Sequence, residues 1–257
     1  IRNFPRMVAF AFDKWTIGSR VEKNIERLRS QFGEYSTKEA ASMDEQNLLD
    51  DLEKLYELER ETTRLNIIIP LMMMMYNAVL KRQLRDLGID FRSFDLTEGM
   101  QEIKAYDPAT QLEELHDLYI KLDPETQNRI ISSDLIASSD QPDLDLFQLE
   151  FSRFIDRFGY LSDNSNDFST VPWREDPHVV LKLIAGYKYS GDRSDGKVRL
   201  ADLNLRGMKG RSFRLFYKRS REFRLYREQI SSLHTYGLDL LRAYYVALGE
   251  RLVDRGW

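Results

Sequence analysis

The chain has no cysteine and only three histidines in 257 residues. The first absence excludes disulfides, thiolate metal sites and cysteine nucleophiles, and it fits a reducing compartment, so a cytoplasmic location is expected. His116, His178 and His234 stand far apart, with no HExxH or paired ligand spacing. No metal centre is expected, and each histidine reads as a packed or surface residue. A glycine-rich phosphate loop is also lacking: Gly207-Met208-Lys209-Gly210 has neither the P-loop spacing nor its Ser/Thr. There is no GxSxG elbow, and most carboxylates lie at solvated helical spacing from Lys or Arg. A catalytic site is therefore not expected within these residues. The longest apolar run, LNIIIPLMMMMYNAVL from Leu65 to Leu80, is interrupted by Asn66, Pro70 and Asn77. It falls short of the roughly twenty residues a bilayer span needs, so no membrane partner is expected. No signal peptide is visible, and a chain that opens at Ile1 and stops at Trp257 reads as a piece of a longer protein.

What is present describes a folded domain. Hydrophobic residues at 42% and charged residues at 31% place the chain among globular proteins, long enough for one good core or two small ones. The net charge of −4 conceals a split: residues 186–228 hold 13 Lys/Arg against 5 Asp/Glu, and the remainder 25 against 37. One segment could therefore face an anion, although a solvated helix face gives the same count. With a pI near 5.6 and no recognisable binding motif, no nucleic-acid partner is expected.

Apolar residues recur at three and four positions along most of the chain, which predicts an all-α, multi-helix domain with long helices. Val21, Ile25, Leu28 and Phe32 make one stripe, ended by Gly33. Leu48, Leu52, Leu55 and Leu58 open a run of helix formers from Asp44 to about Gly88. Pro70 lies inside that run and predicts a kink or break, because it removes a helical hydrogen bond and crowds the preceding turn. Around it, four consecutive methionines read either as a helix buried on all sides or as a pliable wall, including Met73 and Met74, for an apolar ligand or partner helix. Further helices are expected from Leu96 to Lys104, from Gln111 to Leu122, after Asp123-Pro124 (a cap followed by proline at the first position) and from His178 to Tyr187. Residues 187–205 read as a small β-hairpin turning at Asp195-Gly196 or as a flexible insertion. Ser212 to Val253 is one long helix, or two joined near Gly237. The segments divide as 1–90, 91–185 and 186–257 within a single helical domain.

The most informative stretch is FSRFIDRFGYLSDNSNDFSTVPWREDP, Phe151 to Pro177. Phe147, Phe151, Phe154, Ile155 and Phe158 form an amphipathic helix, and Gly159 is placed to end it in the left-handed conformation. A loop spanning 159–177 follows, rich in self-capping Ser, Asp and Asn, closed by Pro172 and Pro177 around Trp173, Arg174, Glu175 and Asp176. In the structural reading Trp173 plugs the core, and Arg174 ties the loop down through Asp163 or Asp167. In the functional reading Arg174 presents its fork to a carboxylate or phosphate. Arg221, Arg224 and Glu228 share one face of the last helix, with Arg227 beside them, and could likewise hold an anion.

The string RxGxxSDxxNDFSxxPWREDP resembles the helical region of phosphoenolpyruvate-utilising phosphotransferases, of the phosphoenolpyruvate-synthase-like and rifampicin-phosphotransferase-like kinds. The resemblance covers roughly 150–178, and 218–256 more weakly. It implies a helical linker or acceptor-binding domain. That domain would shape a pocket for a small-molecule acceptor and guide a mobile phosphohistidine domain. It also implies a flanking ATP-grasp domain holding ATP and magnesium, no cofactor in this segment, and no kinase activity from this segment alone. A helical interaction scaffold without catalysis is the alternative.

Overall fold

A computed structural model describes residues 4–132, 141–164, 167, 169–188 and 197–257, with side chains from residue 18 onward. Among them the chain is all-α. Three helices are long: α1 (Phe4–Phe32), α3 (Glu45–Asp86) and α9 (Gly207–Asp254). Between them come α2 (Thr37–Ala40), α4 (Gln101–Lys104), α5 (Pro108–Tyr119), α6 (Pro124–Ile131), α7 (Pro142–Phe158) and α8 (Pro177–Ala185). The starts follow local rules. Asp44 accepts the Asn47 amide at 2.9 Å, and Asp107 and Asp123 cap helices whose first residues are Pro108 and Pro124.

The long helices pack on one another. Helix α3 runs antiparallel to α9, because Gln83 bonds Ser212 at 2.9 Å near one end and Arg255 meets Glu45 at 2.7 Å near the other. The stripe Val21, Ile25, Leu28 and Phe32 joins Leu48, Leu52, Leu55 and Ile69 of α3 and Phe223, Ile230, Leu240 and Tyr244 of α9 in a first core. A second core lies among α5–α8. There Leu112, Leu115 and Tyr119 meet Phe147, Phe151, Phe154, Phe158, Val180 and Ile184. A smaller third core gathers Leu80, Leu84, Phe94, Phe213 and Tyr217 at the far end of the α3–α9 pair.

Four details bear on the sequence expectations. Helix α3 continues unbroken through Pro70. Ile69, Met72, Met73 and Tyr76 pack against the first core on either side of the proline, and this tertiary contact holds the helix across the missing bond. The methionine segment is not buried on all sides: Ile69 is fully buried, while Leu71, Met74 and Met75 are more than half exposed. Gly159 ends α7 at φ −63°, in the right-handed region. A side chain there is excluded for another reason: its Cβ would stand 2.3 Å from the Ile155 carbonyl oxygen and 2.9 Å from the Cβ of Arg174. No strand pair forms among the described residues. Val198 makes one isolated parallel bridge with Phe94, through its amide to Ser93 and its carbonyl to Asp95. The turn of the expected hairpin, at Asp195-Gly196, lies outside the described residues.

Candidate functional site

The anchor loop is clamped to α9. Its backbone folds back on itself, the Trp173 amide donating to Leu161 at 2.7 Å and the Arg174 amide to Gly159 at 2.9 Å. Trp173 stacks on Phe154, with centroids 6.0 Å apart and planes at 22°, and so joins the second core as the structural reading expects. Arg174 reaches neither Asp163 nor Asp167. It pairs with Asp239 of α9 at 2.6 Å and bonds Thr37 at 3.1 Å. The loop acids are occupied or turned away: Asp167 accepts the amide and hydroxyl of Ser169, and Asp163 is exposed. A second pair crosses in the opposite sense, Arg242 of α9 gripping Glu175 at 2.9 and 3.2 Å and the Ser169 carbonyl at 3.1 Å. Two reciprocal charge-assisted links thus fasten loop to helix.

Burial governs the protonation of Asp239. Its removal from water pushes the carboxyl up to about 6, with Arg174 pulling it back down only in part. Because the folded value lies above the ordinary 3.8, the folded state holds this proton more tightly than the unfolded chain does. The associated stability is complete below the unfolded value and is lost as pH rises through the folded one. Asp239→Asn should flatten this decline. Denaturant titrations from pH 4 to 7 should show wild type losing up to about 3 kcal/mol relative to the variant across that interval. Parallel profiles would show that Asp239 does not titrate there.

Farther along the α3–α9 seam, the carboxylate of Glu59 and the Nδ1 of His234 are in close contact. Glu59 is 6% exposed, and the Thr63 hydroxyl lies 3.4 Å from the same carboxylate oxygen that His234 Nδ1 contacts. Burial raises the Glu59 carboxyl above the ordinary range, and the bond from His234 offsets part of that rise. Gly237 makes the pair possible, because a Cβ at that position would lie 2.1 Å from Glu59 Oε2 and 2.9 Å from the Phe32 ring.

Glu59, though not His234, lines a groove of about 660 Å³ together with Tyr56, Arg60, Thr63, Leu238, Leu241 and Tyr245. That volume is typical of small-molecule sites, and walls that are mainly apolar with few polar groups match their usual composition. A second groove of about 550 Å³ lies between α5 and α7, but Glu114, Asp117, Lys121, Glu150, Arg153 and Arg157 line it. Filling it would strip water from many charges, so the α3–α9 groove is the stronger candidate.

The structure does not gather the sequence-predicted site residues into one place. Arg174 is spent on Asp239. Arg221 lies over the Tyr217 ring at 5.2 Å and bonds its hydroxyl, Arg224 is half-buried, and Arg227 pairs with Glu228 at 3.2 Å. Asp239 follows Arg227 by twelve residues on one helix, about 18 Å along the axis. Met73 packs into the first core and Met74 faces outward. Sequence reasoning missed Glu59, yet a signal was there. The stripe Leu48, Leu52, Leu55 continues at Glu59 and Thr62, placing a carboxylate at a core position.

Residues 62–228 match the family model described as the rifampicin phosphotransferase fourth domain. No curated protein and no solved structure matches the chain. The match spans more than half of the sequence, and the chain belongs to this family of helical domains from phosphoenolpyruvate-utilising phosphotransferases.

Proposed function

We propose that the chain is the acceptor-binding helical domain of an ATP-dependent, phosphoenolpyruvate-synthase-like phosphotransferase working in the cytoplasm, and that the α3–α9 groove receives the acceptor. One observation carries the reading: a groove with mainly apolar walls, of small-molecule size, opens over a buried, histidine-paired carboxylate. Tyr56 and Tyr245, 60% and 48% exposed, provide rings that can stack on an apolar body. Thr63 and Glu59 are the groups that would orient a hydroxyl.

Among the described residues no group of three His, Asp or Glu could hold a metal ion, and the sequence lacks a phosphate-cradling loop. In this reading, which follows the family resemblance, a flanking ATP-grasp domain activates ATP and a mobile phosphohistidine domain of the same polypeptide delivers the phosphoryl group.

Calorimetric titration with 2-naphthol, an apolar body bearing one hydroxyl, tests the groove. Tyr56→Ala combined with Tyr245→Ala should weaken binding by roughly tenfold, consistent with about 0.5–1.5 kcal/mol per lost aromatic pairing. Leu118→Ala in the α5–α7 groove should leave it unchanged. The reverse pattern would move the acceptor site to the second groove, and no binding to wild type would remove the acceptor role.

A further inference from the structure

Glu59 is an acid at a core position of α3. It follows Leu48, Leu52 and Leu55 along the buried stripe, is 6% exposed and lines the α3–α9 groove. Its two carboxylate oxygens differ. Oε1 has both neighbours, His234 Nδ1 and the Thr63 hydroxyl at 3.4 Å. Oε2 is buried and has no hydrogen-bond partner among the described residues. A neutral imidazole donating from Nδ1 gives Oε1 one hydrogen bond and no charge, which leaves the other oxygen without a donor. A buried acceptor in that condition is costly, and a buried anion is stable when a cation faces it.

The chain supplies no such cation among the described residues. Arg60, the other charged residue lining the groove, is taken by Glu57 at 2.5 Å, and its side chain is 71% exposed. Arg27, which reaches α3 from α1, is held by Glu61. A metal ion does not answer the need either, since no group of three His, Asp or Glu gathers there among the described residues.

The rings sharing the groove point the same way. Tyr56 stands one turn before Glu59 on α3 and Thr63 one turn after it, while Leu238, Leu241 and Tyr245 form the facing stripe of α9. Both tyrosine rings are exposed. The face of a tyrosine attracts a cation, and aromatic rings beside a carboxylate are a common way to hold an ammonium group. We infer that the molecule received by this groove is a cation, an apolar body bearing a protonated amine that meets the free oxygen of Glu59. The carboxylate ends a flexible side chain, so a change of rotamer brings that oxygen to the amine. A neutral hydroxyl would use one hydrogen bond but neither the charge of Glu59 nor the ring faces. The inference rests on the proposed function for calling this molecule the acceptor, and on the groove alone for its charge.

Calorimetric titration of the chain with a matched pair, 2-naphthylmethylamine and 2-naphthylmethanol, tests it, because the two share one body and differ in carrying an ammonium or a hydroxyl. The amine should bind wild type roughly tenfold more tightly or better, as expected for a hydrogen bond to a charged group. Glu59→Gln keeps the shape and removes the charge. It should bring the amine down to the affinity of the alcohol and leave the alcohol within about twofold. Tyr56→Ala, at an exposed ring, keeps the test open if Glu59→Gln does not fold. It should cut the amine's advantage by about two- to fivefold, and an undiminished advantage would count against the inference. Equal affinities on wild type, or a preference for the alcohol, would overturn the inference and keep the groove as the acceptor site. An amine preference that survives Glu59→Gln would also overturn it, by moving recognition off Glu59. Binding of neither compound would remove the acceptor reading and the inference together.

Discussion

Replacing Trp173 by alanine is expected to destabilise the domain by about 3 kcal/mol, toward the lower end of the range for removing a large buried aromatic. In a chain of this size that corresponds to a melting midpoint lower by roughly 6–12 °C. The ring stacks on Phe154 and closes the second core. Its removal opens a void there and frees a polar loop whose ordering costs about 1–2 kcal/mol of backbone entropy per residue. Arg174→Ala should be destabilising too, by about 2 kcal/mol, since Asp239 would remain buried without its cation. Were Trp173 instead part of a ligand surface, the alanine variant would melt with wild type.

A second large effect is expected at Gly237. A single methyl there would stand 2.1 Å from Glu59 Oε2 and within about 3 Å of two Phe32 ring atoms, 2.9 and 3.0 Å away. The Phe32 ring is fully buried and has little room to yield, whereas the Glu59 carboxylate ends a flexible side chain and can swing into the groove it lines. Gly237→Ala should cost about 2–3 kcal/mol, chiefly from overpacking against Phe32. Glu59→Ala should cost less on its own. Combining the two should recover part of the loss, since the methyl then occupies space the carboxylate vacated. A strictly additive double variant, measured by denaturant unfolding, would show that Glu59 and Gly237 do not compete for that space.

The fold was largely legible because its cores follow simple periodicity. The stripes ending at Phe32 and Phe158, and the proline-started helices at Pro108 and Pro124, are local patterns with one stable solution. The departures arise where tertiary contact overrides a local rule. Pro70 predicts a break only while nothing else holds the helix, and packing by Ile69, Met72 and Met73 supplies that hold. Gly159 and Gly237 both read as punctuation, yet each is also crowded by another chain segment, Arg174 beside the first and Glu59 with Phe32 beside the second. The sequence gives a glycine but not its neighbour.

Less of the candidate site could be read. Arg174 was visible, but its partner Asp239 is 65 positions away in the sequence, and no local spacing announces a loop-to-helix pair. Glu59 and His234 are farther apart still. Only the intrusion of a carboxylate into the Leu48, Leu52, Leu55 stripe hinted that one core position serves another purpose. The exposed back of α3 was hidden for a different reason. An all-apolar run such as residues 67–76 shows no amphipathic period, so burial on every side and burial on one side look alike in sequence.

The most direct measurement is a methyl NMR titration of the leucine-labelled domain with 2-naphthol. The account predicts saturable shifts centred on Leu238 and Leu241, with Leu115, Leu118 and Leu146 of the α5–α7 groove unmoved. Shifts confined to the α5–α7 leucines, or none at saturating probe, would contradict it.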